Sequence, residues 1–126
     1  MTEPPIRLVL DATAVVAYGV GNVAVGEIIA EVADEDAGIA VPDICLIDGA
    51  RQLDRDNWHV LDLLLAHSHV ERLELPEDWR DVSAAARLLG STSRAVAMLA
   101  AVDLRAYVLT AEPEAYGAEA APVIGF

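Results

Sequence analysis

One acid in this sequence stands where α/β proteins build their chemistry. The run Arg7-Leu8-Val9-Leu10 ends abruptly in Asp11, with Thr13 two residues on and a second apolar run behind it. A strand that closes on a carboxylate and turns straight into a helix sets that carboxylate at the carboxyl edge of a parallel sheet. Asp11 is therefore the first candidate for carboxylate chemistry. Asp is also among the preferred helix caps, and the two roles are compatible. The other conspicuous side chains read more plainly. His67 and His69 are spaced to share one strand face, but no third His or Cys lies nearby to complete a metal site, and a strand-edge pair accounts for them. Cys45 falls on the apolar side of its helix, with no basic neighbour to favour a thiolate, and reads as a small buried hydrophobe. Trp58 and Trp79 stand at helix starts as packing residues, since no aromatic row interleaved with bases supports base stacking. Arg51 and Arg55, one turn apart, either line a rim that meets phosphate or sit on a solvated face.

The elements that position these residues follow from periodicity and punctuation. Residues 6–10 form a first strand, and residues 13–18 a short helix closed by Gly19 and Gly21. Asn22 caps an amphipathic helix in which Val25, Ile28, Ile29 and Val32 recur at helical spacing. Residues 38–41 are a second strand, and Pro42-Asp43 opens a helix with Ile44, Leu46, Ile47, Ala50 and Leu53 on its apolar side. Residues 58–66 are helical, and residues 69–75 alternate as a strand does until Pro76. A helix over 77–89 stops at Gly90, and Ser91, Thr92 and Ser93 offer caps for another that runs to Leu104. Strands at 107–109 and 122–124 complete the chain. This βαβα alternation predicts one parallel sheet of four to five strands in a three-layer α/β/α sandwich, a single domain over residues 1–126.

Composition agrees and excludes several functions. The hydrophobic fraction is 55% and mean hydropathy is +0.38, as expected of strands covered on both faces. The longest uncharged apolar stretch, residues 12–26, is broken by Gly19, Gly21 and Asn22 and falls short of a membrane span. The start MTEPPIR lacks a basic region before an apolar block, and the single Cys45 forms no internal disulfide, so a cytoplasmic location is expected. There are 21 acids and 8 bases, all arginine, giving a net charge of −13. Such a chain has no general attraction for nucleic acid. The acids at 34–36 and 112–119 read as solvated faces. No glycine-rich phosphate loop supports a nucleotide-binding module.

Several blocks together resemble a known family. VLDATAVVAY at the first strand, AVPDICLIDGARQL after the second, and AYVLTAEPEAY with PVIGF at the end are similar to the PIN domain, most closely the VapC-type toxins of bacterial toxin-antitoxin pairs. The resemblance spans nearly the whole chain. It implies a Mg²⁺- or Mn²⁺-dependent endoribonuclease whose pocket gathers about four acids at the carboxyl ends of the strands, such ions being held by oxygen ligands. Carried over residue by residue, Asp11 falls on the family's first aspartate and Thr13 on its hydroxyl. Asp48 stands where glutamate is usual, and Glu112 where aspartate is usual, with Thr110 retained. The remaining acid falls on Arg94, with Ser93 beside it.

That last change alters the electrostatics most. Four acids give a pocket charge of about −4, and three acids with an arginine about −2. At ~5 Å and an effective dielectric of ~20, repulsion between the guanidinium and a divalent ion is roughly 7 kcal/mol, falling to about 2 kcal/mol under full screening by water. Arg94 is expected to pair with Asp11 or Asp48 and neutralise the pocket in cis, as an antitoxin arginine commonly does in trans in the family the chain resembles. Activity is then impaired or lost, no metal need be bound, and the protein works through a partner, either a second copy or an antitoxin-like protein. The alternative is an active endoribonuclease in which Asp11, Asp48 and Glu112 hold one Mg²⁺ or Mn²⁺ and Arg94 clamps the scissile phosphate of RNA.

Overall fold

The computed structural model describes residues 4–117 and 121–126. Residues 1–3 of the polar lead-in, and residues 118–120 with Glu119 of the acidic run, lie outside them. In chain order the elements are β1 Ile6–Leu10, α1 Ala12–Gly19, α2 Val23–Asp34, β2 Gly38–Pro42, α3 Asp43–Arg51, α4 Trp58–Ala66, β3 Val70–Leu73, α5 Trp79–Leu89, α6 Thr92–Leu104, β4 Tyr107–Thr110 and β5 Val123–Gly125. Single 3₁₀ turns occur at Arg55–Asn57 and Pro113–Tyr116. The strands form one parallel sheet in the order β3-β2-β1-β4-β5. Five strands between two helical layers match the expected α/β/α class.

Alternation along β1, β2 and β4 sorts their residues between two cores. Leu8, Leu10, Ile39, Val41 and Leu109 pack with Val15, Ile29, Leu61 and Leu64 of α1, α2 and α4. Val9, Ala40 and Val108 face the other way, onto Cys45 of α3 and Ala97 and Ala101 of α6. Both faces are covered, so the strands carry almost no polar residues. The punctuation works as read. Asn22 Oδ1 accepts the Val25 N–H at 3.1 Å, Ser91 caps α6 by accepting the Arg94 N–H at 3.2 Å, and Gly90 closes α5 at φ 77°.

Three expectations are corrected. β3 ends at Leu73 rather than Leu75, because its partner β2 ends at Pro42 and leaves Glu74 and Leu75 nothing to pair with. His67 and His69 do not share a strand face: His67 terminates α4 and His69 sits in the turn before β3, bonded through Nε2 to Asp36 at 3.1 Å. The tryptophans do stand at helix starts, but as exposed residues rather than packed ones. Trp79 is 63% exposed under the Arg80 guanidinium, 4.3 Å from its ring centroid, because α5 is an outer helix that packs on α6. Trp58 is also exposed, its indole N–H donating to the Ala50 carbonyl at 2.9 Å. Arg55 stacks on that ring, 5.5 Å from its centroid, and so belongs to a solvated face.

No single helix among the described residues is long and apolar enough to cross a membrane; α1 and α2, both apolar, meet at 107°. α1 and α3 pack closely at Gly49, where a Cβ would come 2.6 Å from Val15 Cγ1 and 3.1 Å from the Ala12 carbonyl oxygen. Gly49→Ala should gain about 1 kcal/mol of helix propensity but lose about 2–3 kcal/mol to overpacking. A net loss of roughly 1–2 kcal/mol is therefore expected in urea unfolding, and an unchanged or higher midpoint would refute this packing.

Candidate functional site

The strand order places a switch point between β1 and β4, where the chain departs in opposite directions and α/β proteins open a crevice at the carboxyl ends. Asp11 follows β1, Thr110 ends β4, and Glu112 follows it. α3 brings Asp48 and α6 brings Arg94 to the same edge. A cavity of about 160 Å³ is lined by Asp11, Thr13, Asp48, Gln52, Ser91, Ser93, Arg94 and Glu112. All four residues singled out in the sequence thus face one hollow. A shallower hollow of about 350 Å³, lined in part by Ile44, Ile47 and Arg51, adjoins it through Asp48, Ser91 and Ser93.

Each carboxylate in the cavity is already bonded to protein. Asp11, 3% exposed, caps α1: its Oδ1 accepts the Ala14 N–H at 3.0 Å and the Thr13 hydroxyl at 2.6 Å. Its Oδ2 accepts the Tyr116 hydroxyl at 2.7 Å. Thr13 Oγ1 in turn accepts the Ala111 N–H at 2.8 Å and lies 3.3 Å from Thr110 Oγ1, which accepts the Glu112 N–H at 3.0 Å. One network therefore joins the ends of β1 and β4 to α1 and the turn at Tyr116. Asp48 Oδ1 accepts Arg51 Nη2 at 2.7 Å and Oδ2 the Ser93 hydroxyl at 3.0 Å.

Arg94 corrects the sequence-based expectation. It reaches neither Asp11 nor Asp48. Its Nη2 pairs with Glu112 Oε2 at 3.3 Å, and its Nη1 donates to the Leu89 carbonyl. The buried Asp11 has no room for a guanidinium because Tyr116 covers its free oxygen, and Asp48 is taken by Arg51. Glu112, half exposed on the turn, is the acid within reach.

Protonation follows from these contacts. The hydrogen bond from Arg51, then that from Ser93 and the Arg51 charge, hold Asp48 below its ordinary 3.8 against a burial effect of opposite sign. Burial first, then the Asp11 and Asp48 charges, push the Cys45 thiol up. Its Sγ donates to the Ser93 carbonyl at 3.3 Å, a structural thiol beneath the site. Burial and the adjoining Asp11 likewise raise the Tyr116 phenol far above 10.0. Tyr116 escaped the sequence reading because its partner lies 105 residues away and no periodicity marks a lone tyrosine after a turn.

No family model matches the sequence, and no curated protein matches it. Among solved structures, the crystal structure of VapBC2 from Rickettsia felis bound to a DNA fragment from their promoter contains a chain similar to this one at a TM-score of 0.69. Identity is 15%, over 96% of this chain and 99% of that chain. The chain has a VapC-like PIN fold. At that identity the likeness is one of fold.

The carboxylates at this edge are the candidate ligands for a divalent cation, and protein donors already engage each of them. Among the described residues no three of His, Cys, Asp and Glu gather closely enough to hold a metal ion. Three carboxylates and two guanidinium groups leave the site a formal charge of −1, with only Asp11 free of a cation partner. A hard cation is held by carboxylate oxygens, and here both oxygens of Asp11, both of Asp48 and Oε2 of Glu112 accept from protein donors.

Tyr116→Phe should cost about 1.5–3 kcal/mol near neutral pH by stripping a donor from a buried carboxylate. The neutral phenol is the folded form, so its contribution is complete below about pH 10 and is lost as pH climbs toward the raised value. Urea unfolding of both proteins from pH 7 to 11 should show a steeper alkaline loss in the wild type. Parallel curves would contradict the Tyr116–Asp11 bond.

Proposed function

We propose that this chain is a PIN-fold protein, similar to VapC-type toxins, in which metal-dependent RNA cleavage is impaired or lost and which acts by binding a protein partner. The observation that carries this reading is the Arg94–Glu112 ion pair in the cavity. It sets a cation in the lining of the cavity that Asp11 and Asp48 also line, and engages one of three possible ligands. The pair is partly exposed, and its own contribution to stability is small, about 0–1 kcal/mol. Its effect on a second cation is larger, since even screened repulsion of about 2 kcal/mol weakens binding more than tenfold.

The partner class follows from charge and likeness. The comparison structure holds VapBC2 on promoter DNA. A VapB-like antitoxin is the counterpart assigned here. A net charge of −13 gives this chain no electrostatic affinity of its own for DNA or RNA, so any such contact would run through the partner. A second copy of the chain is the other candidate partner. One observation favours the active alternative: Asp11, Asp48 and Glu112 line a common cavity. In that reading they would hold Mg²⁺ or Mn²⁺, and Arg94 would meet the phosphate.

Calorimetric titration with Mn²⁺ separates the two. The wild type should show no binding into the millimolar range, and Arg94→Asp should raise affinity by at least about tenfold. If the wild type instead binds Mn²⁺ and cleaves RNA, and Asp11→Ala abolishes cleavage, the active reading stands and the present one fails.

A further inference from the structure

Away from the acidic cavity, the end of β3, the connection to α5 and the second half of α6 enclose a groove of about 550 Å³. Leu73, Leu99, Ala100 and Leu104 line it, with Val102 61% exposed at its side. Leu75, next to the lining residues Glu74 and Pro76, is also exposed. Carboxylates stand around this apolar surface: Glu74 and Asp81 from the β3–α5 side, and Asp103 from α6. No arginine lines the groove, and among the described residues none of the three acids is in an ion pair.

We propose that this groove docks an amphipathic segment of a partner protein, placing its apolar side chains against Leu73, Leu99 and Leu104 and its Arg or Lys residues on Glu74, Asp81 and Asp103. The volume suits a few side chains rather than a globular surface. Apolar anchors supply affinity, and the acid rim supplies orientation and rejects acidic competitors, the division of labour seen where an amphipathic helix lies in a groove. Charge complementarity selects a basic partner over a second copy, because a second copy would bring another −13 to an acidic rim. The inference extends the partner-binding reading above, yet the groove shares no lining residue with the acidic cavity. It can fail while the metal result holds, and the reverse.

The test is fluorescence anisotropy of the full chain with a labelled amphipathic peptide carrying Leu on one face and Arg on the other, at physiological salt. Saturable binding is expected, weakened at least about tenfold by Val102→Arg, by the combined Glu74→Gln, Asp81→Asn and Asp103→Asn variant, and by replacing the peptide's Leu with Ser. All these protein positions are exposed, and circular dichroism checks that both variants fold. Three results would overturn the proposal. The first is no binding at about 100 μM peptide. The second is equal binding by either variant or by the Ser peptide, which marks plain attraction to an acidic chain. The third is a wild-type dimer in sedimentation that Val102→Arg dissociates, which makes the occupant a second copy.

Discussion

Burying a carboxylate costs several kcal/mol unless its oxygens find donors, and the sheet's carboxyl edge is organised around meeting that cost at Asp11. The Ala14 amide, the Thr13 hydroxyl and the Tyr116 hydroxyl supply the donors. Each donor belongs to a different part of the edge or is itself held by one. Thr13 receives the Ala111 amide, which ties α1 to the end of β4. Tyr116 ends the 3₁₀ turn after β4 and packs in the core with Val9 and Val108. The same bonds that orient the carboxylate therefore fix the path of the chain from β4 into the turn.

The rest of the site answers to charge. Eight arginines serve 21 acids, and two of the eight stand on the site's own carboxylates, Asp48 and Glu112. A pocket built to attract a cation would leave its carboxylates facing inward and unneutralised. Here Arg51 and Arg94 turn two of them into ion pairs, and Asp11 becomes the third wall as a capped, buried acid. The edge is a crevice in which two of three carboxylates carry an arginine partner.

Most of the fold could be read from the sequence because its signals are local. Apolar runs on β1, β2 and β4 required cover on both faces, Asn22 and Ser91 announced helices by the bonds they would make, and Gly90 ended one by its backbone freedom. Asp11 was legible as a cap for the same reason. Legibility failed where a side chain's partner lies far along the chain. Arg94 was assigned to Asp11 or Asp48 on charge, guanidinium geometry and family resemblance, but reach and prior occupancy decide such pairings, and Glu112 is the acid left open. Tyr116 carried no local signal at all. Trp58 and Trp79 read as packing residues at helix starts, and they do start α4 and α5, but outer positions leave each with one face on a guanidinium.

The central claim is that three protein donors hold the buried Asp11 carboxylate and tie the edge together through it, and the unfolding free energy of Asp11→Ala tests it most directly. Loss of the carboxylate strands the Tyr116 hydroxyl, the Thr13 hydroxyl and the Ala14 amide, and should cost about 3 kcal/mol in urea unfolding at pH 7. Unchanged or increased stability would contradict the account.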